Sequence, residues 1–234
     1  MGNVVELLGI PGCGKSTLVD YCAPNPKYII QRKDLKPSKL EREFIRRFYI
    51  DPKLIFKNHA IHSFIKEYPE ADKLFVRKLI EMHYKLKKTG VEIVLLDEGL
   101  IDRMTGIPFD KNLVIDNAFL NVVEMINSTE ALVFNCQCPI EVSSERLRLR
   151  ERTGDNASGR YYDKSDEILK NKLMIKQHNN DVVLSCYKGR IVTLDMTKPI
   201  EDNAKIIQDT INEEFSIANK KLWLKAIPAQ LHGK

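Results

Sequence analysis

The chain opens with an apolar run, Val4-Val5-Glu6-Leu7-Leu8, that stops at Gly9, the pattern of a buried strand. A glycine-rich turn follows, then a helix over 15–22, which Pro24 and Pro26 end. Lys27-Tyr28-Ile29-Ile30-Gln31 reads as a second strand. Residues 33–89 are largely helical by apolar spacing, with breaks near Asp51-Pro52 and Tyr68-Pro69. After Thr89-Gly90, Val91-Glu92-Ile93-Val94-Leu95-Leu96 is the clearest strand in the chain. A helix over 112–126 comes next, with Leu113, Phe119, Leu120 and Val123 on one side. Ala131 to Cys136 is a fourth strand, and Pro139 opens a helix over 139–152. A loop from Gly154 to Gly159 separates it from a helix over 164–187. Arg190-Ile191-Val192-Thr193-Leu194 is a fifth strand. Pro199-Ile200-Glu201-Asp202 then places acids in the first turn of a last helix.

Strands alternating with helices predict an α/β fold of three layers, a parallel sheet of about five strands covered on both faces. The segment 33–89 is too long for a simple crossover and reads as a helical insertion beside the ligand site. Residues 1–214 form one domain on this reading, with 33–89 on the acceptor side and 146–164 as a lid; 215–234 are a C-terminal tail.

Composition narrows the class. Of 234 residues, 43% are hydrophobic and 29% charged, which suits a globular chain with a sizeable core. The net charge of +5 fits an anionic small ligand as well as a nucleic acid. No apolar run is long enough to span a membrane, and the N-terminus lacks a basic, cleavable leader. Five scattered cysteines suit reduced thiols, so a cytoplasmic location is expected.

Gly9-Ile10-Pro11-Gly12-Cys13-Gly14-Lys15-Ser16 fits the pattern G-x-x-x-x-G-K-[ST] in full, with Thr17 after it. Gly9, Gly12 and Gly14 let the backbone wrap so that successive N–H groups, Cys13's included, converge on an anion. The helix that opens at Lys15 aims its positive end at the same point. Lys15 is placed to reach the β- and γ-phosphates of a nucleotide, and the Ser16 hydroxyl to bind Mg²⁺. The alternative is a glycine-rich turn that holds no ligand.

Leu95-Leu96-Asp97-Glu98 sets two carboxylates at the carboxyl end of a central strand, where ligands of open parallel sheets bind. Asp97 suits the metal side and Glu98 a general base; a solvated strand end is the other reading. Arg103 is a candidate contact for a transferred or acceptor phosphate, or one half of an ordinary ion pair. Arg146, Arg148, Arg150 and Arg152 lead straight into the Gly154–Gly159 loop. A lid that brings guanidinium groups onto a transferring phosphoryl group fits this arrangement, with Arg150 and Arg152 nearest the loop. A charged surface helix fits it too.

Together, the loop Gly9–Thr17, the strand ending Asp97-Glu98 and the segment Glu145-Arg146-Leu147 … Arg150 … Arg152 resemble the P-loop kinases of the nucleoside and nucleoside-monophosphate kinase group. Thymidylate-kinase-like and deoxynucleoside-kinase-like members are nearest in style. The resemblance implies a five-stranded parallel core, an acceptor-binding helical region after the second strand, an arginine lid, and transfer of the ATP γ-phosphate with Mg²⁺. It implies adenine near the start of the lid helix and near Met196-Thr197. The run Asp97-Glu98-Gly99-Leu100-Ile101-Asp102-Arg103 departs from the Asp-Arg-aromatic triplet of thymidylate kinases and the Asp-Gly-aromatic-Pro-Arg run of adenylate kinases. The acceptor therefore stays open, with a nucleoside or nucleotide first.

Residues 32–57 hold nine Lys or Arg against four Asp or Glu, with Phe44, Phe48, Tyr49 and Phe56 between them. They suit a phosphorylated or nucleic-acid acceptor, or a solvated basic helix face over an aromatic core face. Arg32, at the end of the second strand, is the leading acceptor contact. Cys136-x-Cys138 has no second pair to make a metal site, and His59 and His62 share a helix face with a structural role. The stretch Lys220-Lys221-Leu222-Trp223-Leu224-Lys225 either packs on the domain or meets a partner or membrane surface. The expected activity is that of an ATP:acceptor phosphotransferase; a homodimer is compatible with it. An ATPase switch acting on a partner and a kinase of nucleic-acid ends are the alternatives.

Overall fold

A computed structural model describes residues 3–35, 37–50, 63–64, 66, 73–88, 93–108, 111–128, 130–153, 165–215 and 222–223. The apolar run at the start becomes β1 (Asn3–Leu8), the middle of a five-stranded sheet. It pairs in parallel with β3 (Ile93–Leu96) on one side and β4 (Glu130–Gln137) on the other. Outside these lie β2 (Ile29–Gln31) and β5 (Arg190–Asp195), both parallel, giving the order β2-β3-β1-β4-β5. Glu6 stands opposite Leu96, so β1 and β3 release the phosphate loop and Asp97 at the same carboxyl edge.

The helices in chain order are α1 (Lys15–Cys22), α2 (Lys39–Ile50), α3 (Lys73–Lys88), α4 (Leu100–Thr105), α5 (Asn117–Asn127), α6 (Ile140–Arg152), α7 (Asp166–Cys186) and α8 (Ile200–Glu214). A short 3₁₀ turn, Arg32–Leu35, follows β2. Alternation along β1 divides the core in two. Val4 and Leu8 face Leu79 of α3, Ile101 and Met104 of α4, Phe119 and Val122 of α5 and Val183 of α7. Val5 and Leu7 face Leu18 and Val19 of α1 and Ile207 and Ile211 of α8.

Several boundaries differ from the sequence reading. β2 starts at Ile29 because the N–H groups of Tyr28 and Ile29 both turn back to the Asn25 carbonyl. α5 starts at Asn117 rather than near 112. The Asp116 carboxylate accepts the Phe119 N–H at 2.7 Å, and the Leu113 N–H is taken by the Asn179 side chain, also at 2.7 Å. The buried stripe is then Phe119, Val122, Val123 and Ile126, which leaves Leu120 exposed. α4 has no counterpart in the periodicity, since six residues are too few to show a stripe. In the insertion, α2 begins with a reciprocal cap: the Glu41 carboxylate accepts the Ser38 N–H and the Ser38 hydroxyl accepts the Glu41 N–H. Lys85 of α3 bridges to Glu41 at 3.0 Å. Residues 51–62, with Phe56, His59 and His62, lie outside the described residues, as do Tyr68-Pro69, Val91-Glu92 and the loop 154–164.

Of the tail, Leu222 and Trp223 are described and buried. Trp223 forms an antiparallel bridge with Pro24, and its indole N–H donates to Asn212 at 3.2 Å. The Asn25 N–H donates to the Leu222 carbonyl at 2.7 Å. These two residues thus lock the end of α1 to α8. Trp223→Ala is expected to cost about 3 kcal/mol, the range for an emptied aromatic site, in urea unfolding followed by circular dichroism.

Candidate active site

The phosphate loop is bent around a backbone that only glycine fits. Gly12 has φ +85°, and a Cβ there would stand 2.6 Å from the Ser143 carbonyl oxygen. α1 begins at Lys15 without a side-chain cap, so its first turn presents its amides toward the loop. The Lys15 ammonium lies folded against that loop, donating to the carbonyls of Gly9 at 2.6 Å and Ile10 at 3.3 Å. Burial disfavours its charge, but the fields of Cys13, Asp102 and Glu98 outweigh that and hold its pKa above the ordinary lysine value.

The acidic edge is built by a residue the sequence reading left in the strand. Glu6 is fully buried, and its carboxylate accepts the N–H groups of Gly99 (3.0 Å), Ile101 (3.0 Å) and Asp102 (2.8 Å). A buried carboxylate on the neighbouring strand thus caps α4. Gly99 is required for the approach, because a Cβ there would collide with the Glu6 carboxylate.

This anchor fixes Asp97 and Glu98 next to the phosphate loop. The Ser16 hydroxyl donates to Asp97 Oδ2 at 2.5 Å, and Arg32 Nε meets Asp97 Oδ1 at 3.0 Å. Glu98 Oε2 receives both the Arg32 guanidinium and Arg103 Nη2, the latter at 2.5 Å. Five of the residues singled out from sequence — Ser16, Arg32, Asp97, Glu98 and Arg103 — therefore form one connected cluster.

Behind them lies a buried ion pair. Lys176 of α7 meets Asp102 Oδ1 at 3.1 Å and also donates to the Asp102 carbonyl and the Thr105 hydroxyl. Burial raises the Asp102 carboxyl, but the Lys176 ammonium, helped by Lys15 and Arg103, prevails and holds it below the ordinary carboxylate value.

Two cavities flank the cluster. One, about 410 Å³, opens over Gly12, Gly14 and Thr17 and is walled by Arg146, Arg150, Met196 and Asn203. Arg146 spans its floor, donating to the carbonyls of Cys13 at 2.9 Å and Met196 at 3.3 Å. The other, about 390 Å³, lies between the 3₁₀ turn, α2, α3 and α4 and includes Arg32 and Arg103. Of the arginines expected to form a lid, Arg150 lines the loop-side cavity, whereas Arg152 is exposed at the end of α6. Arg148 is tied to Glu151 and Asp166, each at 2.8 Å. Arg160 lies outside the described residues. The sequence reading missed Glu6, Lys176 and the loop-clamping role of Arg146. A lone acid in an apolar strand and a lysine in a long helix carry no local pattern, whereas Arg146 was visible as one of the four arginines that lead into the Gly154–Gly159 loop.

No protein-family model matches the chain, and no curated protein does either. Solved structures do match. Deoxyadenosine kinase from M. mycoides with bound dATP aligns with a TM-score of 0.50 and 15% identity, over 90% of this chain and 99% of that one. The YorR protein of Bacillus subtilis in complex with phosphorylated GDP aligns with a TM-score of 0.50 and 16% identity, over 92% and 98%. The fold is that of the P-loop kinases. At these identities the P-loop kinase fold is what the match carries; neither structure bears on a thymidylate-kinase-like preference. Among the described residues no helix is long and apolar enough to cross a membrane, and no three His, Cys, Asp or Glu gather as a metal-ligand set.

The Asp102–Lys176 pair gives a signed prediction. Its stabilisation is complete above the ordinary carboxyl value of 3.8 and is lost as pH falls below it toward the lower folded value. Lys176→Met leaves a buried carboxylate without that partner and is expected to cost about 3–5 kcal/mol at neutral pH. The deficit should shrink as acid protonates Asp102, which urea unfolding at about pH 7 and about pH 3 will show.

Proposed function

We propose that the protein is an ATP-dependent phosphotransferase that moves the γ-phosphate to a small acceptor, a nucleoside or nucleotide. The Ser16–Asp97 contact carries this reading, because it joins the phosphate loop to a carboxylate pair held by Arg32 and Arg103, which line a second cavity. The P-loop kinase fold and the nucleotides held by the two solved neighbours support it.

In this reading Gly9, Gly12, Cys13, Gly14 and Thr17 wrap the donor phosphates with backbone N–H groups. Lys15 swings from the Gly9 carbonyl onto the β- and γ-phosphate oxygens. The base occupies the loop-side cavity against Arg146 and Met196. A hydroxyl and a carboxylate oxygen 2.5 Å apart are hard donors of the kind Mg²⁺ takes alongside substrate phosphates, so Ser16 and Asp97 would hold it. Bound there, the ion supplies charge neutralisation of the phosphates. Glu98 takes the proton of the acceptor oxygen as that oxygen bonds to the γ-phosphorus and the bond to the β-bridging oxygen breaks. Arg32 and Arg103 orient Glu98 and contact the acceptor, and Arg150 with Arg152 closes on the equatorial oxygens.

The test is ADP release from Mg-ATP across nucleosides, nucleoside monophosphates, sugars and oligonucleotides. Acceptor-dependent release is expected, with Lys15→Ala lowering kcat/KM at least about 10²-fold and EDTA abolishing turnover. Release unchanged by every acceptor would contradict it.

A further inference from the structure

Val4, Glu6 and Leu8 point to the same face of β1, and Val4 and Leu8 pack there in the apolar layer of α3, α4, α5 and α7. An apolar residue between them would serve the core better than an acid, so what Glu6 contributes lies in its partners. Those partners are the amides of one short segment. Oε1 accepts the N–H groups of Gly99 at 3.0 Å and Asp102 at 2.8 Å, and Oε2 accepts that of Ile101 at 3.0 Å. The first turn of a helix leaves such amides unpaired, and α4 has no capping side chain of its own. A Ser, Thr, Asp or Asn at the cap position would satisfy them locally and fix nothing beyond the helix. Here Gly99 holds that position and the acceptor comes from another strand. The cap therefore sets where α4 stands relative to β1.

Both segments that lead away from this contact end at the site. β1 runs from Glu6 into Gly9 and the phosphate loop, and Asp97 stands just before Glu98 and Gly99. The paired register of β1 and β3 stops at Glu6 and Leu96. Beyond it, the Glu6 hydrogen bonds take over in holding the Asp97–Gly99 link to β1. The Ser16 hydroxyl from one segment and the Asp97 carboxylate from the other meet at 2.5 Å. Two such oxygens serve one cation only while they stay within about 0.5 Å of the productive geometry. A residue that holds a ligating carboxylate in place without touching the metal typically controls affinity over about 10–100-fold.

We propose that Glu6 is a positioning residue for the cation site: by capping α4 it keeps Asp97 in register with Ser16, and so sets how tightly Mg²⁺ is held. This rests on the reading that gives Ser16 and Asp97 to Mg²⁺, but it is tested by binding alone. ADP is titrated by calorimetry into the full chain, once with Mg²⁺ and once with EDTA. The ratio of the two affinities reads the cation's share, and the stoichiometry reads the folded fraction.

The wild type is expected to bind ADP more tightly with Mg²⁺, and Asp97→Asn to lose that gain. Glu6→Leu suits the apolar row of Val4 and Leu8 but removes the cap, and the gain should fall about tenfold or to the Asp97→Asn value, with affinity in EDTA unchanged. Glu6→Gln keeps one carbonyl oxygen for the Gly99 and Asp102 amides, so it should lose part of the gain, and it alone decides the matter where Glu6→Leu does not fold. Trp223→Ala, destabilised at the far end of α1, should keep the wild-type gain, which separates positioning from loss of stability. A full wild-type gain in either folded Glu6 variant, or an equal loss in Trp223→Ala, would overturn the proposal and leave the phosphotransfer reading standing. No gain in the wild type would overturn it together with the metal assignment. A wild type that binds no ADP under either condition would overturn the phosphotransfer reading and the proposal with it.

Discussion

A carboxylate buried in the middle of the sheet organises everything at its carboxyl edge. Glu6 has no solvent around it, and its oxygens are satisfied by three backbone N–H groups at the start of α4. Burying such a polar group is costly unless its acceptor sites are filled, so the start of α4 is held where those three amides converge. Asp97 and Glu98 lie in the short link between β3 and that helix, and Asp102 and Arg103 in its first turns. Their positions follow from the same anchor. Lys176 ties the far side of α4 to α7, which makes α4 a strut between the sheet and that helix.

The phosphate loop meets the link that leads into this strut through Ser16 and Asp97, and the two cavities lie on either side of it. Their walls differ in kind. On the loop side Arg146 is committed to backbone carbonyls, so it shapes the cavity. In the other cavity Arg32 and Arg103 are held by the Asp97 and Glu98 carboxylates. Arg32 joins the two halves, since it reaches both Asp97 and Glu98. Whatever displaces Arg32 from those carboxylates changes both at once.

The strands and the phosphate loop were legible because their signals are local. A continuous apolar run, a glycine pattern and a lysine at fixed spacing need no knowledge of the rest of the chain. Asp97, Glu98, Arg32 and Arg103 were legible as residue types at strand ends, although the ion pairs joining them were not. Glu6 was hidden because it reads as one acid in an apolar run, and its partners lie more than ninety residues away. α4 was hidden by its length, and α5 was placed early because the apolar spacing runs through Leu113 although Asp116 caps the helix after it. Leu120 then falls off the buried stripe by one register.

The fate of the γ-phosphate tests the account most directly. Incubation with ATP labelled at that position, followed by separation of the products, shows where the label goes. The account predicts label on an organic acceptor, in amounts matching the ADP formed, and none with Asp97→Asn. Label found wholly as inorganic phosphate, whichever acceptor is present, would contradict it and identify the cluster as the hydrolytic centre of an ATPase switch.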